Sequence, residues 1–505
     1  MSKVASESIS DATETPPLGD MSAEDFRRYG HELIDWISDY LAHPEQHAVL
    51  SSVKPDEFEA QIPSAPPATG ESMEAIIADV DKLVTPALTH WNHPAFFAYF
   101  SISASAPGIF GELLASAFNV NQMLWRTAPA ATELEAVTLS WLRQMMNLPE
   151  EFDGIIYDTA SISTMHALAA AREKLNLRIR EDGMTGRETP LPLLRVYASE
   201  QTHSSIEKAV VALGLGQRAL RKTPVDENYR MNAAALAEAI AEDERAGALP
   251  FCVVATVGTT STTSINPVRE IAEICKRHNL WLHVDAAYGG SAAVVPEMRF
   301  ILDGCDAADS LVTNPHKWLF VPIDCSVLYC RQMEVLRQAF SLVPEYLRTA
   351  EGEEVRNGMD YGIQLGRRFR SLKLWMVMRY FGHEGLARRI REHCRLARLF
   401  ASWIEESEDW QLLAPVPFSL VCFRFRPAQR QDETDHDYRT HLDQSNEAIM
   451  HRVNRTGEAY LSHTVLREGF AMRLAIGNIR TTETHVRRAW ELLIEQAAHQ
   501  SKGNL

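Results

Sequence analysis

The chain is poor in features that define several common protein classes. Its seven cysteines include no CxxC pair, so a disulfide or zinc framework is not expected. Cys252, Cys325, Cys330 and Cys422 fall in apolar, strand-like runs and read as small buried thiols. No apolar run reaches the roughly 18 residues of a transmembrane helix. Residues 1–20 have neither a basic n-region nor an apolar h-region, so no secretory signal is read there. Positive charge is short: 50 Lys and Arg face 67 Asp and Glu, a formal net charge of -17. That balance argues against nucleic acid and against an anionic membrane surface as partners. There is no internal repeat and no long low-complexity segment. A cytoplasmic protein is expected.

What is present suits a globular protein. At 505 residues, 46% hydrophobic and 23% charged, the chain can build two or three domains around a large core. Residues 1–20 read as a disordered tail. Residues 22–43 have helical periodicity, with Phe26, Leu33, Ile34, Ile37 and Leu41 broadly on one face, and Ser22 with Asp25 resembles a capping box. A Pro-rich connection leads to a second helix near 72–85. This N-terminal helical segment, 21–106, is too thin to hold its own core and is expected to pack on something else. From 107 to 380, strand-like runs at 193–198, 252–256, 281–284, 310–313 and 325–329 alternate with helical ones, which argues α/β with a mostly parallel sheet. Residues 381–505 change pattern: a helix at 385–407, a strand at 420–425, a polar loop at 427–437, a strand near 471–476 and a final helix at 482–496. They suggest a smaller C-terminal α+β domain.

Chemistry gathers at the ends of the apolar runs. Asp285 closes Trp281-Leu-His-Val, and Lys317 follows Leu311-Val-Thr in Asn314-Pro-His-Lys-Trp318. An anion and a cation at the C-terminal ends of two parallel strands are how an α/β enzyme builds a site. One cofactor needs that pair: pyridoxal phosphate, held by a lysine with an Asp on its pyridinium nitrogen. The alternatives are a strand-end salt bridge for the pair and a helix N-cap for Asp285. His203 also follows a strand, where its imidazole suits stacking on a planar cofactor or simply capping a helix. The turn Asp158-Thr-Ala-Ser161 precedes a helix at 165–174. Its Thr159 and Ser161 hydroxyls and backbone N–H groups fit a phosphate cradle, although Ser and Thr are also ordinary caps.

These motifs together carry a family resemblance. Asn-Pro-His-Lys-Trp, His283-Val-Asp-Ala-Ala-Tyr288, His203-Ser-Ser-Ile-Glu-Lys-Ala209 and Leu365-Gly-Arg-Arg-Phe-Arg-Ser-Leu-Lys373 resemble the group II pyridoxal-phosphate amino-acid decarboxylases, with aromatic-L-amino-acid decarboxylase as the nearest branch. The resemblance runs from about residue 22 to 495 and includes His93-Pro-Ala-Phe-Phe-Ala-Tyr-Phe100 and Pro129-Ala-Ala-Thr-Glu-Leu-Glu135. It implies a fold-type-I, aspartate-aminotransferase-like architecture. It also implies a homodimer with a shared active site, the N-terminal helical segment packing over the partner subunit.

The resemblance also implies roles. Lys317 carries the cofactor, Asp285 meets its pyridine nitrogen, and His203 stacks on its ring. Thr260 matches a residue near the ring substituents, and Ala160, Ser161 and Asn314 match phosphate contacts; Ala287 and Thr159 are further expected cofactor-binding residues. Tyr346, in Leu342-Val-Pro-Glu-Tyr-Leu347, matches the tyrosine of a mobile loop that returns a proton to the α-carbon after carbon dioxide leaves. Trp91, Tyr99, Phe100 and His316 match the substrate pocket, and Gly366 leaves room for a bulky ring. Asn121 and Met123 stand where the family has apolar and aromatic residues contributed by the neighbouring subunit, and Tyr99, Phe100 and Asn121 are expected to face a cofactor held by the other chain. Asp158 and Ile162 depart from the usual phosphate turn. No metal is implied. The expected function is decarboxylation of aromatic L-amino acids (Trp, 5-hydroxy-Trp, Tyr, dihydroxyphenylalanine or Phe) to arylalkylamines, the preferred ring being left open. The alternatives are an aromatic aldehyde synthase, a histidine or other amino-acid decarboxylase, or a non-catalytic cofactor-binding protein.

Overall fold

The computed structural model describes residues 19–342, 355–431 and 433–503. The chain divides into two compact units, one of residues 1–46 and 53–87 and one of residues 47–52 and 88–505.

In the first unit a helix spans Ala23–Ala42. Ser22 caps it: its Oγ accepts from Asp25 N–H at 3.0 Å, and its hydroxyl donates to the Asp25 carboxylate at 2.8 Å. Asp25 thus answers the hydroxyl rather than the Ser22 backbone N–H of a full capping box. The apolar stripe stays uncovered: Phe26 is 67% exposed and only Tyr29 is buried. The second helix is broken into Met73–Asp79, a π-helical turn Val80–Val84 and Thr85–Ala87, rather than the single element expected over 72–85.

The second unit is built on a seven-stranded sheet: β1 (Asp153–Tyr157), β2 (Leu194–Ser199), β3 (Leu220–Thr223), β4 (Leu249–Thr256), β5 (Trp281–Asp285), β6 (Ser310–Thr313) and β7 (Ser326–Cys330), in the order β1-β7-β6-β5-β4-β2-β3. Six strands run parallel and β7 alone is reversed. The β6–β7 link holds a single helical turn, not the crossover helix that a parallel return needs. The central strands β5 and β6 are buried along their length because both faces are covered. Along β4, Val253 and Ala255 pack into one core cluster while Cys252 and Val254 pack into the cluster on the other face. Each of the two fully buried valines contributes about 1.5–3 kcal/mol.

The C-terminal part carries a four-stranded antiparallel sheet of β8 (Trp410–Leu412), β9 (Leu420–Phe425), β10 (Ser462–Leu466) and β11 (Gly469–Ala475), in the order β10-β11-β9-β8. Ser371–Glu405 is two helices joined at Gly382, whose φ of 63° breaks the helical path; the second is the helix expected over 385–407, and the first was not expected. A helix at Asp435–Arg455 escapes the sequence reading because its composition is polar. Its buried side chains, Leu442, Asn446, Ile449 and Val453, nonetheless recur at helical spacing. All seven cysteines are free and buried. Among the described residues no helix is long and apolar enough to cross a membrane.

Candidate active site

Because β1, β2, β4, β5 and β6 are parallel, the segments that leave their C-terminal ends meet along one edge of the sheet. Those segments hold the turn at 158–161, His203, Thr260, Asp285 and Lys317. Lys317 lies in a one-turn helix, Pro315–Trp318, directly after β6. Burial lowers its amine pKa, while the Asp285 carboxylate opposes that shift. A lysine so placed is nearer its neutral, nucleophilic form. Asp285, the last residue of β5, is 6% exposed. Its Oδ1 accepts the Ala287 N–H at 3.1 Å, and the Ala287 carbonyl in turn accepts from Asn314 N–H at 3.1 Å. One carboxylate oxygen thus braces the turn; this is the capping role in part, and no hydrogen bond commits the other oxygen among the described residues.

His203 caps the helix Ser204–Ala212: its Nδ1 accepts from Ser205 N–H at 3.1 Å. Burial lowers its pKa, Asp285 raises it, and Lys317 lowers it again. The cap fixes the ring, so capping and ring stacking are compatible in one residue. His316 is buried, its Nδ1 accepting from Cys325 N–H at 2.9 Å, and burial together with the neighbouring Lys317 charge pushes its pKa down to about 3. It is a neutral support for the Lys317 turn.

The helix expected from 165 begins at Ala160, with Thr159 as its N-cap. Ala160 and Ser161 are therefore in the first helical turn, where free N–H groups point outward. Thr159 departs from expectation. Its hydroxyl and its N–H both go to Asp158 Oδ1, the former at 3.0 Å, so its donors are engaged within the turn.

Several buried polar atoms along this edge have no partner among the described residues: the Asn314 Oδ1, the Thr202 hydroxyl, and the hydroxyls of Ser199, Thr256 and Thr313. The last three close β2, β4 and β6. Buried polar groups are normally satisfied, so a row of orphans at one strand edge fits a polar ligand there.

Phe100 supplies the aromatic wall. Lys317 Nζ lies 5.3 Å from its ring centroid. Phe100 stacks on Tyr288 at 4.1 Å, Tyr288 stacks on Trp318 at 4.7 Å, and Trp318 Nε1 donates to His393 Nδ1 at 2.9 Å. Phe100 therefore faces the lysine of its own chain, which corrects the expectation that it faces a cofactor held by the other. Tyr99 has a left-handed φ of 52°, and its ring stacks on Trp91 at 5.8 Å while its hydroxyl meets that of Tyr460 at 3.2 Å. Asn121, Met123 and Gly366 form a separate trio: Asn121 Nδ2 contacts Met123 Sδ at 3.5 Å, its Oδ1 accepts Arg367 N–H at 3.0 Å, and a Cβ on Gly366 would lie 3.7 Å from its amide. Among the described residues no hydrogen bond or ring contact joins the trio to Lys317. Tyr346 lies outside the described residues.

Sequence reasoning missed Arg473. Its guanidinium is buried and bonds to the carbonyls of Thr260 at 2.8 Å and Ser261 at 3.0 Å and to Ser462 Oγ at 2.9 Å, and it lies 5.5 Å from the Phe100 centroid. The available signal was a lone cation in the apolar run 471–476.

Residues 55–426 match the family described as the pyridoxal-dependent decarboxylase conserved domain. The chain belongs to that family. It is 39% identical to tyrosine decarboxylase 2 of Narcissus pseudonarcissus over 490 residues, covering 95% of each chain. It is 38% identical to the aromatic-L-amino-acid decarboxylase of Bos taurus, covering 95% of this chain and 97% of that one. It is 37% identical to the phenylacetaldehyde synthase of Arabidopsis thaliana, covering 95% and 98%. The solved structure of Oryza sativa TDC with PLP and tryptamine superposes with a TM-score of 0.91 at 38% identity, covering 96% of this chain and 100% of that one. The fold is that of the fold-type-I pyridoxal-phosphate enzymes, and the protein is a pyridoxal-phosphate-dependent carboxy-lyase. Bound at the strand edge, the cofactor supplies an electron-withdrawing ring that takes up the electron pair freed when a carboxylate leaves. The residues that would hold it are Lys317, Asp285, His203 and the first turn of the helix Ala160–Glu173, with Asn314 nearby.

Proposed function

We propose that the enzyme decarboxylates aromatic L-amino acids to arylalkylamines and carbon dioxide, as a homodimer in the cytoplasm. The observation that carries the substrate class is the Phe100 ring, whose centroid lies 5.3 Å from the Lys317 amine; Trp91 and Tyr99 form a second stacked aromatic pair. A flat aromatic side chain buries well against such rings. In this reading Lys317 binds and releases the cofactor, Asp285 holds the pyridine nitrogen positive, His203 covers the ring face, and Thr260 and Ala287 border the ring. Ala160, Ser161 and Asn314 hold the phosphate, while His316 supports the Lys317 turn. Tyr346 returns a proton to the α-carbon.

Support for a dimer comes from the helix Ala106–Phe118, which leaves Phe110 46%, Leu113 54%, Leu114 40% and Phe118 58% exposed. A contiguous apolar face of this kind marks an association surface. The dimer brings Asn121, Met123 and Gly366 to the partner's substrate, and the N-terminal helical segment packs over the partner through its uncovered Phe26 face. Residues 107–380 then form the cofactor domain and 381–505 the small domain. Seven free cysteines suit a reducing compartment.

The deciding experiment incubates the holoenzyme with Trp, 5-hydroxy-Trp, Tyr, Phe, dihydroxyphenylalanine and His, and follows amine, aldehyde, carbon dioxide and oxygen. Amine with carbon dioxide from the aromatic set supports the proposal. Aldehyde with oxygen uptake makes it an aldehyde synthase, amine from His alone a histidine decarboxylase, and no turnover a cofactor-binding protein.

A further inference from the structure

Asp158 sits at the mouth of the turn that leads into the helix Ala160–Glu173. Its Oδ1 accepts both the backbone N–H and the hydroxyl of Thr159. Thr159 is the N-cap of that helix, yet its side chain makes no capping bond. Two donors of the turn are thus spent on a carboxylate one residue away. The N–H groups of Ile162 and Ser163 go to the Thr159 carbonyl, whereas those of Ala160 and Ser161 have no partner among the described residues. An anion at the helix N-terminus therefore finds two backbone donors and the Ser161 hydroxyl.

The charge of Asp158 is poorly matched. No salt bridge reaches it among the described residues. Arg370 feels its field, but the guanidinium is committed to Asp324, with Nε 2.7 Å from Oδ1. A helix N-terminus favours anions, but a fixed carboxylate already there repels a second one. A cofactor phosphate carries close to two negative charges at neutral pH, so the repulsion is felt twice over.

We propose that Asp158 weakens the enzyme's hold on the cofactor phosphate, by occupying the Thr159 donors and by placing a negative charge beside a dianion, so that pyridoxal phosphate exchanges faster than it would from the same turn without the carboxylate. This rests on the assignment of the turn to the phosphate. It concerns cofactor retention and not the chemical step, since Asp158 touches neither Lys317 nor Asp285.

Two substitutions separate the two effects. Asp158→Asn keeps an acceptor for Thr159 and removes the charge. Asp158→Gly removes both and frees the Thr159 donors. The measurements are the dissociation rate of pyridoxal phosphate from dialysed holoenzyme, followed by its visible absorbance, and the concentration of inorganic phosphate that halves cofactor rebinding to the stripped protein. For Asp158→Asn we expect dissociation slowed by about three- to tenfold, the range for losing one partly screened like-charge contact, and inorganic phosphate competing at correspondingly lower concentration. Asp158→Gly should slow it at least as much if it folds. A folding defect loosens a cofactor and cannot produce this gain. Ser161→Ala is the control for the site itself and should speed dissociation. If Asp158→Asn leaves the rate unchanged or raises it while Ser161→Ala speeds release, the proposal for Asp158 is overturned and the phosphate site stands. If neither variant changes release or phosphate competition, the assignment of the turn to the phosphate falls, and the proposal with it.

Discussion

Arg473 lies over Phe100, its guanidinium carbon 5.5 Å from the ring centroid. The same ring is 5.3 Å from the Lys317 amine, so a buried cation from the C-terminal sheet backs the wall that faces the reacting lysine. Arg473 also holds the carbonyls of Thr260 and Ser261. It is a positioning residue: it fastens both the turn after β4 and the Phe100 ring. Replacing it by Lys keeps the charge but loses the planar fork. Arg473→Lys is expected to raise KM for aromatic substrates about tenfold with a smaller change in kcat. Arg473→Met, which removes the bonds to the Thr260 carbonyl and the Ser462 hydroxyl and leaves the Ser261 carbonyl to the Cys422 thiol alone, should also cost about 1–3 kcal/mol in stability. Steady-state kinetics and denaturant titration of both variants check this; an unchanged KM in Arg473→Lys would show that the contact does not shape the pocket.

Lys317→Ala should abolish turnover, because no other lysine follows a strand at this edge, and Asp285→Asn should lower both cofactor affinity and rate. The neutral amide cannot hold the pyridine nitrogen positive, so the ring becomes a poorer acceptor of electrons. Residual activity above about 1% in the lysine variant, where loss of a covalent group costs many orders of magnitude, would remove it from the mechanism. Full activity of Asp285→Asn with cofactor in excess would likewise remove Asp285.

Tyr346→Phe tests the proton donor. Carbon dioxide can still leave, but the electron-rich α-carbon no longer meets a phenol O–H and survives to meet dioxygen. The expected products are aldehyde, ammonia and hydrogen peroxide, with oxygen consumed. An oxygen electrode alongside aldehyde detection decides the matter, and amine formed at the wild-type rate would assign protonation to another group.

A stability prediction follows from Glu135 and Arg367, a buried pair at 2.8 Å whose carboxylate also accepts Ile156 N–H at 3.0 Å and Gln122 at 2.7 Å. Burial raises the Glu135 pKa, but the charge and hydrogen bond of Arg367, the Ile156 N–H and the Arg356 charge more than offset it and leave it depressed. Glu135→Ala strands the guanidinium and is expected to cost about 3–5 kcal/mol. Because the folded pKa is below the unfolded value, the contribution is complete above the unfolded pKa of about 4.3. It is lost as pH falls through the folded value. The Tm gap between wild type and Glu135→Gln should therefore narrow below about pH 4. A gap constant down to pH 3 would count against a charged Glu135 in the native state.

Much of the site was readable from residue order alone. Asp285 and Lys317 end apolar runs, and a parallel sheet puts all such ends on one edge whatever the details of packing. The alternation of strand and helix likewise determined the fold class, since a sheet covered on both faces buries every residue of a strand such as Trp281–Asp285. Helix Asp435–Arg455 was not readable, because its few apolar residues reach the core only through contacts distant in sequence. The same holds for Arg473 and Phe100, 373 positions apart by number, whose pairing exists only once β11 is laid beside the strand-edge turns. Which chain's lysine Phe100 serves, and that Asp158 consumes the Thr159 donors, were decided by tertiary geometry. Local sequence determines which groups stand at a strand end or a helix start, but the direction of a side chain and its hydrogen-bond partner depend on what the rest of the chain brings within reach.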